Sequence, residues 1–174
     1  MKVRLRQLRR PLKLLGERDR ETLLGELAHL TLYFLKDPRR LEEALSQALA
    51  LYPEPFPERE TLRERLREML SHALSHPEIS TYLGLPVKED LREREILLLQ
   101  KDRPESLRPD RILLQEDQVL ILEYKLRRPR EKEVLDRYRE QLEAYLRGLR
   151  KIFPEKVRGV LVFLDPPGLE EVSP

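Results

Sequence analysis

Apolar residues recur at helical spacing through the first half of this chain and at strand spacing through the second, a switch that bounds the folds open to it. Leu23, Leu24, Leu27, Leu30, Thr31 and Phe34 share one stripe, which predicts a helix from Arg20 to about Phe34, closed by Pro38. A second helix is expected over Leu41–Tyr52, stopped by Pro53, Pro55 and Pro57. A third, Glu58–Leu74, carries Leu62, Leu66, Met69 and Ala73 on one face and Glu/Arg partners at helical spacing on the other. Pro77 and Gly84-Leu-Pro86 read as turns. The period then changes. Arg94–Leu99, Arg108–Gln115 and Val119–Leu126 read as strands, the last two joined across Glu116-Asp117-Gln118. Glu131–Lys151 reads as a long helix striped by Leu135, Tyr138, Leu142, Tyr145 and Leu149. Val157–Leu164 reads as an apolar strand, and Leu169–Val172 as a short edge. With neither repeat nor linker, one α/β or α+β domain is expected over residues 1–174. It divides into a basic segment (1–18), a mainly helical part (19–90) and an α/β part (91–172).

Composition removes whole classes of function. The chain has no Cys, which excludes disulfides, thiolate catalysis, zinc–thiolate sites and cysteine-held iron–sulfur clusters. No segment has the apolar length of a membrane span, and the start, Met-Lys-Val-Arg-Leu-Arg, has no apolar core of a secretory signal. A soluble, cytoplasmic protein without a membrane partner is expected. Charged residues make up 38% of the chain and Gly only 6 residues, the pattern of a heat-adapted source. Net charge is +2, but it is uneven: residues 1–20, 124–139 and 147–158 are basic islands. Such islands either track a phosphate backbone or are the solvated faces of helices.

The chemistry-bearing residues sit around the expected hairpin. A turn at Glu116-Asp117 places Asp110 opposite Glu123, with Cβ atoms about 5 Å apart. Lys125 lies two residues on, hence on the same face. Two adjacent carboxylates repel, and a divalent cation removes the conflict; oxygen ligands suit Mg²⁺ or Mn²⁺. Glu123 and Lys125 also interrupt Val119-Leu-Ile-Leu-Glu-Tyr-Lys-Leu126, a run apolar enough to be buried on both faces, where charges need compensation. The plain alternative is a surface ion pair, with Asp110 bonded to Arg108 or Lys125.

The run Arg108-Pro-Asp-Arg-Ile-Leu-Leu114 followed by Val119-Leu-Ile-Leu-Glu-Tyr-Lys125 resembles the nuclease core of the PD-(D/E)XK superfamily, in its RecB-family, AddA-type branch. Gln141 and Tyr145 are similar to that family's Gln-to-Tyr helix motif, and Gly25-Glu-Leu-Ala-His29 to its Gly-x-x-x-His helix. Leu74–Glu78, Arg94-Glu95-Ile-Leu and the strand Val157–Leu164 follow the family order. The resemblance implies a restriction-endonuclease-like α/β core, a small mixed sheet flanked by helices with a helical N-terminal half. It implies a Mg²⁺- or Mn²⁺-dependent DNA nuclease, in the branch without an iron–sulfur cluster. His29, Asp110, Glu123 and the backbone carbonyl of Tyr124 would hold the metal. Asp110, Glu123 and Lys125 would be catalytic, with Lys125 assisting the attacking water or the phosphate. Gln141 and Tyr145 would place substrate, and the basic stretch with Arg127 and Arg128 would contact the DNA backbone.

Several positions keep a second reading. His29 alone is more often a core or capping histidine, a reading that the family resemblance reverses; Tyr145 is also a packing residue, and Glu95 either structural or close to the metal. His72 and His76 read as surface residues. An exonuclease in DNA-end processing or recombination repair is the function implied. The family's module normally follows a helicase, and no Gly-x-x-x-x-Gly-Lys occurs here, which leaves a chain acting alone, one working with a separate helicase or helicase-like subunit, or an excised domain. The competing classes are a catalytically silent DNA-binding or scaffold module of a helicase–nuclease complex and a helical protein-interaction domain.

Overall fold

The computed structural model describes residues 20–51, 59–99, 104–153 and 156–172. The basic segment 1–18 and the prolines at 53, 55 and 57 lie outside them.

Helices α1 (Arg20–Phe34), α2 (Leu41–Leu51) and α3 (Arg59–Ser75) form where helical stripes are expected. Each stripe turns inward: Leu24, Leu27, Leu45, Leu66 and Leu70 are fully buried. Each such side chain contributes about 1.5–3 kcal/mol by leaving water. Helix α4 (Pro77–Leu83) replaces an expected turn. Pro77 begins it, at a position where the missing N–H would have had no intrahelical partner, so proline starts this helix rather than breaking it.

The main sheet has five strands in the order β1 (Glu89–Arg92), β4 (Arg111–Leu114), β5 (Gln118–Lys125), β6 (Lys156–Leu164), β7 (Pro167–Val172). Strands β5 and β6 run parallel, joined by the crossover helix α5 (Lys132–Arg150); the other neighbours are antiparallel. Strands β2 (Ile96–Leu99) and β3 (Pro104–Leu107) pair only with each other, as a separate ribbon. The expected strand Arg108–Gln115 is therefore shorter, starting only at Arg111, while β3 ends just before it. Pro109 has no N–H to give a ladder, and Asp110 stands in a bend between β3 and β4.

Alternation along the strands gives the sheet two apolar faces. Leu113, Leu120, Leu122, Tyr124, Val160, Val162 and Leu164 pack with α1–α4. Ile112, Val119, Ile121, Leu161 and Phe163 pack with Leu142, Tyr145, Leu146 and Leu149 of α5. Residues on β5 thus alternate between the helices on one side and α5 on the other, which is why the run reads as apolar throughout. Helix α5 approaches closely because Gly159 faces it: a Cβ there would lie 2.9 Å from Leu142 Cγ. The order of elements suggested an α/β or α+β domain; the arrangement is α/β, with the restriction-endonuclease-like core that the family resemblance implied.

Candidate active site

The hairpin pairs Arg111 with Leu122 and Leu114 with Val119. This is the register that sets Asp110 against Glu123. The ladder stops at Arg111, and Asp110 stands in the bend just before β4. Its backbone N–H points to Glu123 Oε2 at 3.4 Å, and its Oδ2 accepts from the Tyr124 N–H at 2.8 Å. The other carboxylate oxygen lies 3.2 Å from His29 Nδ1, so α1 reaches the sheet at this point, 81 residues away in sequence.

On the α5 face, Lys125 Nζ donates to Glu123 Oε1 at 2.9 Å and to Gln141 Oε1 at 3.1 Å. The Gln141 amide donates to the same Glu123 oxygen at 3.0 Å. Tyr145 OH lies 2.8 Å from Gln141 Nε2 and donates to the Arg108 carbonyl at 3.3 Å. Lys125 Nζ also sits 4.6 Å from the centre of the Tyr138 ring, close enough for a cation–π contact. Tyr138, Gln141 and Tyr145 are spaced by three and four residues, one helix face. Six of the expected residues, His29, Asp110, Glu123, Lys125, Gln141 and Tyr145, therefore form one connected hydrogen-bonded patch around Tyr124.

Arg127 and Arg128 stand apart from it. Arg127 bonds Glu21 at 2.5 Å and Asp165 at 3.4 Å. Arg128 pairs with Glu170 and lies 5.1 Å from the Phe163 ring centre. Both are roughly half exposed but occupied by acids of their own chain. Glu95 accepts from Ser106 at 2.6 Å on the β2–β3 ribbon. His72 is exposed and His76 half-buried.

Charges in the patch are strained by burial. Glu123 is only 3% exposed. Burial, then the neighbouring Asp110 charge, push its carboxyl up to about 7, against the pull of Lys125. For His29, burial opposes protonation, but the Asp110 hydrogen bond and the Asp110 and Glu123 charges outweigh it and raise its pKa. The Tyr145 hydroxyl is raised by burial and by Glu123.

The donor set suits a hard divalent cation: two carboxylates forced together, an imidazole, and the Tyr124 carbonyl. Among the described residues no three acids or histidines stand together as a ready ligand cluster. The hydrogen bonds from His29 to Asp110 and from Lys125 to Glu123 occupy lone pairs that an ion would use. Binding one means exchanging those bonds for metal contacts, which also relieves the repulsion that holds the Glu123 carboxyl high.

Three contributors were not legible as such. Tyr138 reads as a stripe residue, and only the fold puts its ring against Lys125. Glu93 lines the small cavity that His29 and Asp110 share, with φ at 45°, and its N–H donates to the Asp110 carbonyl at 2.9 Å. Arg92 lines the same cavity. Neither residue belongs to a recognisable motif.

Comparison with known proteins bears on the fold and the family. A crystal structure described as a "putative exonuclease" from Eubacterium rectale superposes with a TM-score of 0.61 at 14% identity, over 92% of this chain. That likeness supports the fold, and the chain spans 61% of that protein's length. A second structure, SSO0001, is 18% identical over 84% of this chain and 63% of its own, with a TM-score of 0.35, too low to carry an argument. No curated protein matches the chain. The sequence profile of the PD-(D/E)XK nuclease superfamily matches residues 3–173. With that match spanning nearly the whole chain, and with Asp110, Glu123 and Lys125 meeting at one end of the central strands, this chain belongs to the PD-(D/E)XK nuclease superfamily.

Proposed function

We propose that the chain is a single-domain deoxyribonuclease dependent on Mg²⁺ or Mn²⁺, acting as an exonuclease in DNA-end processing or recombination repair. The observation that carries this reading is the meeting of His29, Asp110, Glu123, Lys125 and Gln141, from α1, the bend before β4, β5 and α5, in one hydrogen-bonded patch.

His29, Asp110, Glu123 and the Tyr124 carbonyl would hold the metal, and when bound the ion supplies charge stabilisation for the phosphodiester and a more acidic water. The protein's own residues supply the rest. Lys125, aimed by Gln141 and the Tyr138 ring, orients the attacking water or neutralises a phosphate oxygen. The new P–O bond to the water oxygen forms as the bridging P–O bond breaks; the water's proton leaves through this hydrogen-bonded group to solvent, and the departing 3′ oxygen takes up a proton from solvent. Gln141 and Tyr145 border the site and place substrate. Arg127 and Arg128 contact the DNA backbone only by exchanging their present acid partners for phosphates. The superfamily resemblance supports 5′-phosphate products. Without Cys, no iron–sulfur cluster is held by thiolates.

No described helix is long and apolar enough to cross a membrane; the proposed setting is cytoplasmic, in a heat-adapted source, with DNA as substrate and a separate helicase or helicase-like subunit as the candidate partner. The test is incubation of end-labelled single- and double-stranded DNA with Mg²⁺, Mn²⁺ or EDTA, beside Lys125→Ala. Metal-dependent cleavage lost in the variant is expected, and the product ladder reports mode and polarity. Metal-independent binding with no cleavage under any divalent ion would replace this reading with a silent DNA-binding module.

A further inference from the structure

Helix α1 carries His29, yet it belongs to a different layer from the strands that carry Asp110 and Glu123. A ligand set divided in this way works only if the layers are fixed to within a fraction of an ångström. Apolar packing between α1 and the sheet is non-directional, so some polar contact must fix the helix along its axis.

The end of β1 provides such contacts. Asp90 and Arg92 are two residues apart, hence on the same face of the strand, and Arg92 is paired across the ladder with Arg111. Asp90 accepts from Arg111 at 2.8 Å and 2.9 Å through both carboxylate oxygens, and from Arg92 Nε at 3.1 Å. The three side chains are 22%, 11% and 9% exposed for Asp90, Arg92 and Arg111. Arg92 then donates to the Tyr33 carbonyl at 2.9 Å. Tyr33 lies one turn beyond His29, among the last carbonyls of α1, which have no partner within the helix. The last turn of α1 has no basic residue of its own; Arg92 serves there instead.

The other end of the chain of contacts is the metal-binding aspartate. Arg111 follows Asp110 directly. Glu93, next to Arg92, holds the Asp110 carbonyl with its N–H at 2.9 Å, and its carboxylate pairs with Arg108 on the far side of Pro109. The Tyr124 ring meets the His29 ring edge-on, with centroids 6.3 Å apart. Its buried hydroxyl has no well-formed hydrogen bond among the described residues and lies beside the Arg111 charge.

We infer that Asp90 and Arg92 are positioning residues: an ionic brace from the end of β1 that ties the C-terminus of α1 to Arg111 and so sets the His29–Asp110 separation. A general-purpose ion pair need not join these two elements. This one links the helix turn after one ligand to the residue after another. The inference rests on the nuclease reading only for its catalytic consequence.

The test has a readout free of both metal and DNA. The chain has three histidines, so the imidazole ¹⁵N resonances can be assigned by substitution. In metal-free protein at fixed pH, His29 should show the signature of an Nδ1 bonded to a carboxylate. Arg92→Met and Asp90→Asn should lose it, and Arg158→Met, on β6 and paired with Glu171 instead, should keep it. Arg92→Lys reaches one partner but not both; it provides a milder variant if Arg92→Met does not fold, and should give an intermediate signature. In the cleavage assay, kcat should fall about 10–100-fold with KM for DNA unchanged, the usual cost of losing support behind a ligand. Arg92→Met should add nothing to His29→Ala. An unchanged His29 signature in a folded Arg92→Met or Arg92→Lys protein, or additive losses with His29→Ala, would overturn the brace. If the wild type cleaves no DNA, the nuclease reading fails, and the imidazole signature still decides the brace.

Discussion

Gln141 faces Lys125 and Glu123 with opposite ends of one carboxamide: its oxygen accepts from Lys125 Nζ at 3.1 Å while its nitrogen donates to Glu123 Oε1 at 3.0 Å. The amide's fixed polarity matches a cation on one side and an anion on the other. Gln141→Glu reverses one half of that match and places a third carboxylate beside Glu123. Cleavage is expected to fall about 10–100-fold for Gln141→Ala and further for Gln141→Glu, with the fold intact by circular dichroism. Equal, small losses in both variants would show that the amide's polarity is irrelevant.

Asp110→Ala and Lys125→Ala should each reduce cleavage by at least about 100-fold. They should differ in metal binding. Asp110→Ala removes a ligand and weakens Mn²⁺ affinity by calorimetry; Lys125→Ala should leave it unchanged or tighter, because Glu123 loses its competing partner. Equal Mn²⁺ affinity in both variants would contradict the assigned roles.

The raised Glu123 carboxyl predicts a pH effect on stability. Its folded value, about 7, lies above the ordinary 4.5. The stabilisation is therefore complete below pH 4.5 and is lost as pH rises through 7. In EDTA, the wild-type melting temperature relative to Glu123→Gln should drop between pH 5 and pH 8, values chosen about either side of that window. Mn²⁺ should reverse the drop, so the melting shift produced by metal should be larger at the higher pH. A shift independent of pH would be inconsistent with the buried carboxylate pair.

Two glycines should respond oppositely to alanine. Gly159→Ala forces a Cβ to within 2.9 Å of Leu142 Cγ, where Leu142 is fully buried and has no room to withdraw. About 1–3 kcal/mol of destabilisation is expected. Cleavage should fall as well, since Leu142 adjoins Gln141. Gly25 lies inside α1 with no described atom within 4 Å of an added Cβ. Gly25→Ala should therefore raise stability by up to about 1 kcal/mol. Denaturant melts of both variants decide the signs.

The sequence carried the elements whose side chains answer to a single periodicity. Helices α1, α2, α3 and α5 and strands β5 and β6 each have a continuous apolar stripe or run, and they form close to the expected limits. The hairpin register was not fixed by its turn, which lacks Asn-Gly; the alignment assumed from a turn at Glu116-Asp117 is the one the ladder has. Strand β1, Glu-Asp-Leu-Arg, was not, because three of its four residues are charged and its apolar partner set lies on β4. Its charges are satisfied by Arg111, Arg92 and the end of α1, contacts that no local pattern encodes. Helix α4 was hidden by prolines that look like turn signals. The late start of β4 follows from Pro109, visible in the sequence, but the placing of Asp110 at that strand end depends on the bend. For the candidate site, residue identities were legible from the motifs, while the occupation of Arg127 and Arg128 by Glu21, Asp165 and Glu170 arises from side chains up to 106 residues away.

His29 and Asp110 meet across 81 residues of intervening chain, through a helix on one layer and a bend on another. On the proposed metal reading, the two carboxylates stay together on the sheet when α1 alone lets go, and only the imidazole leaves. A protein opened in this way keeps a folded core and loses one proposed ligand. Native-state hydrogen exchange in α1, followed beside Mn²⁺ affinity, should report that loss ahead of global unfolding.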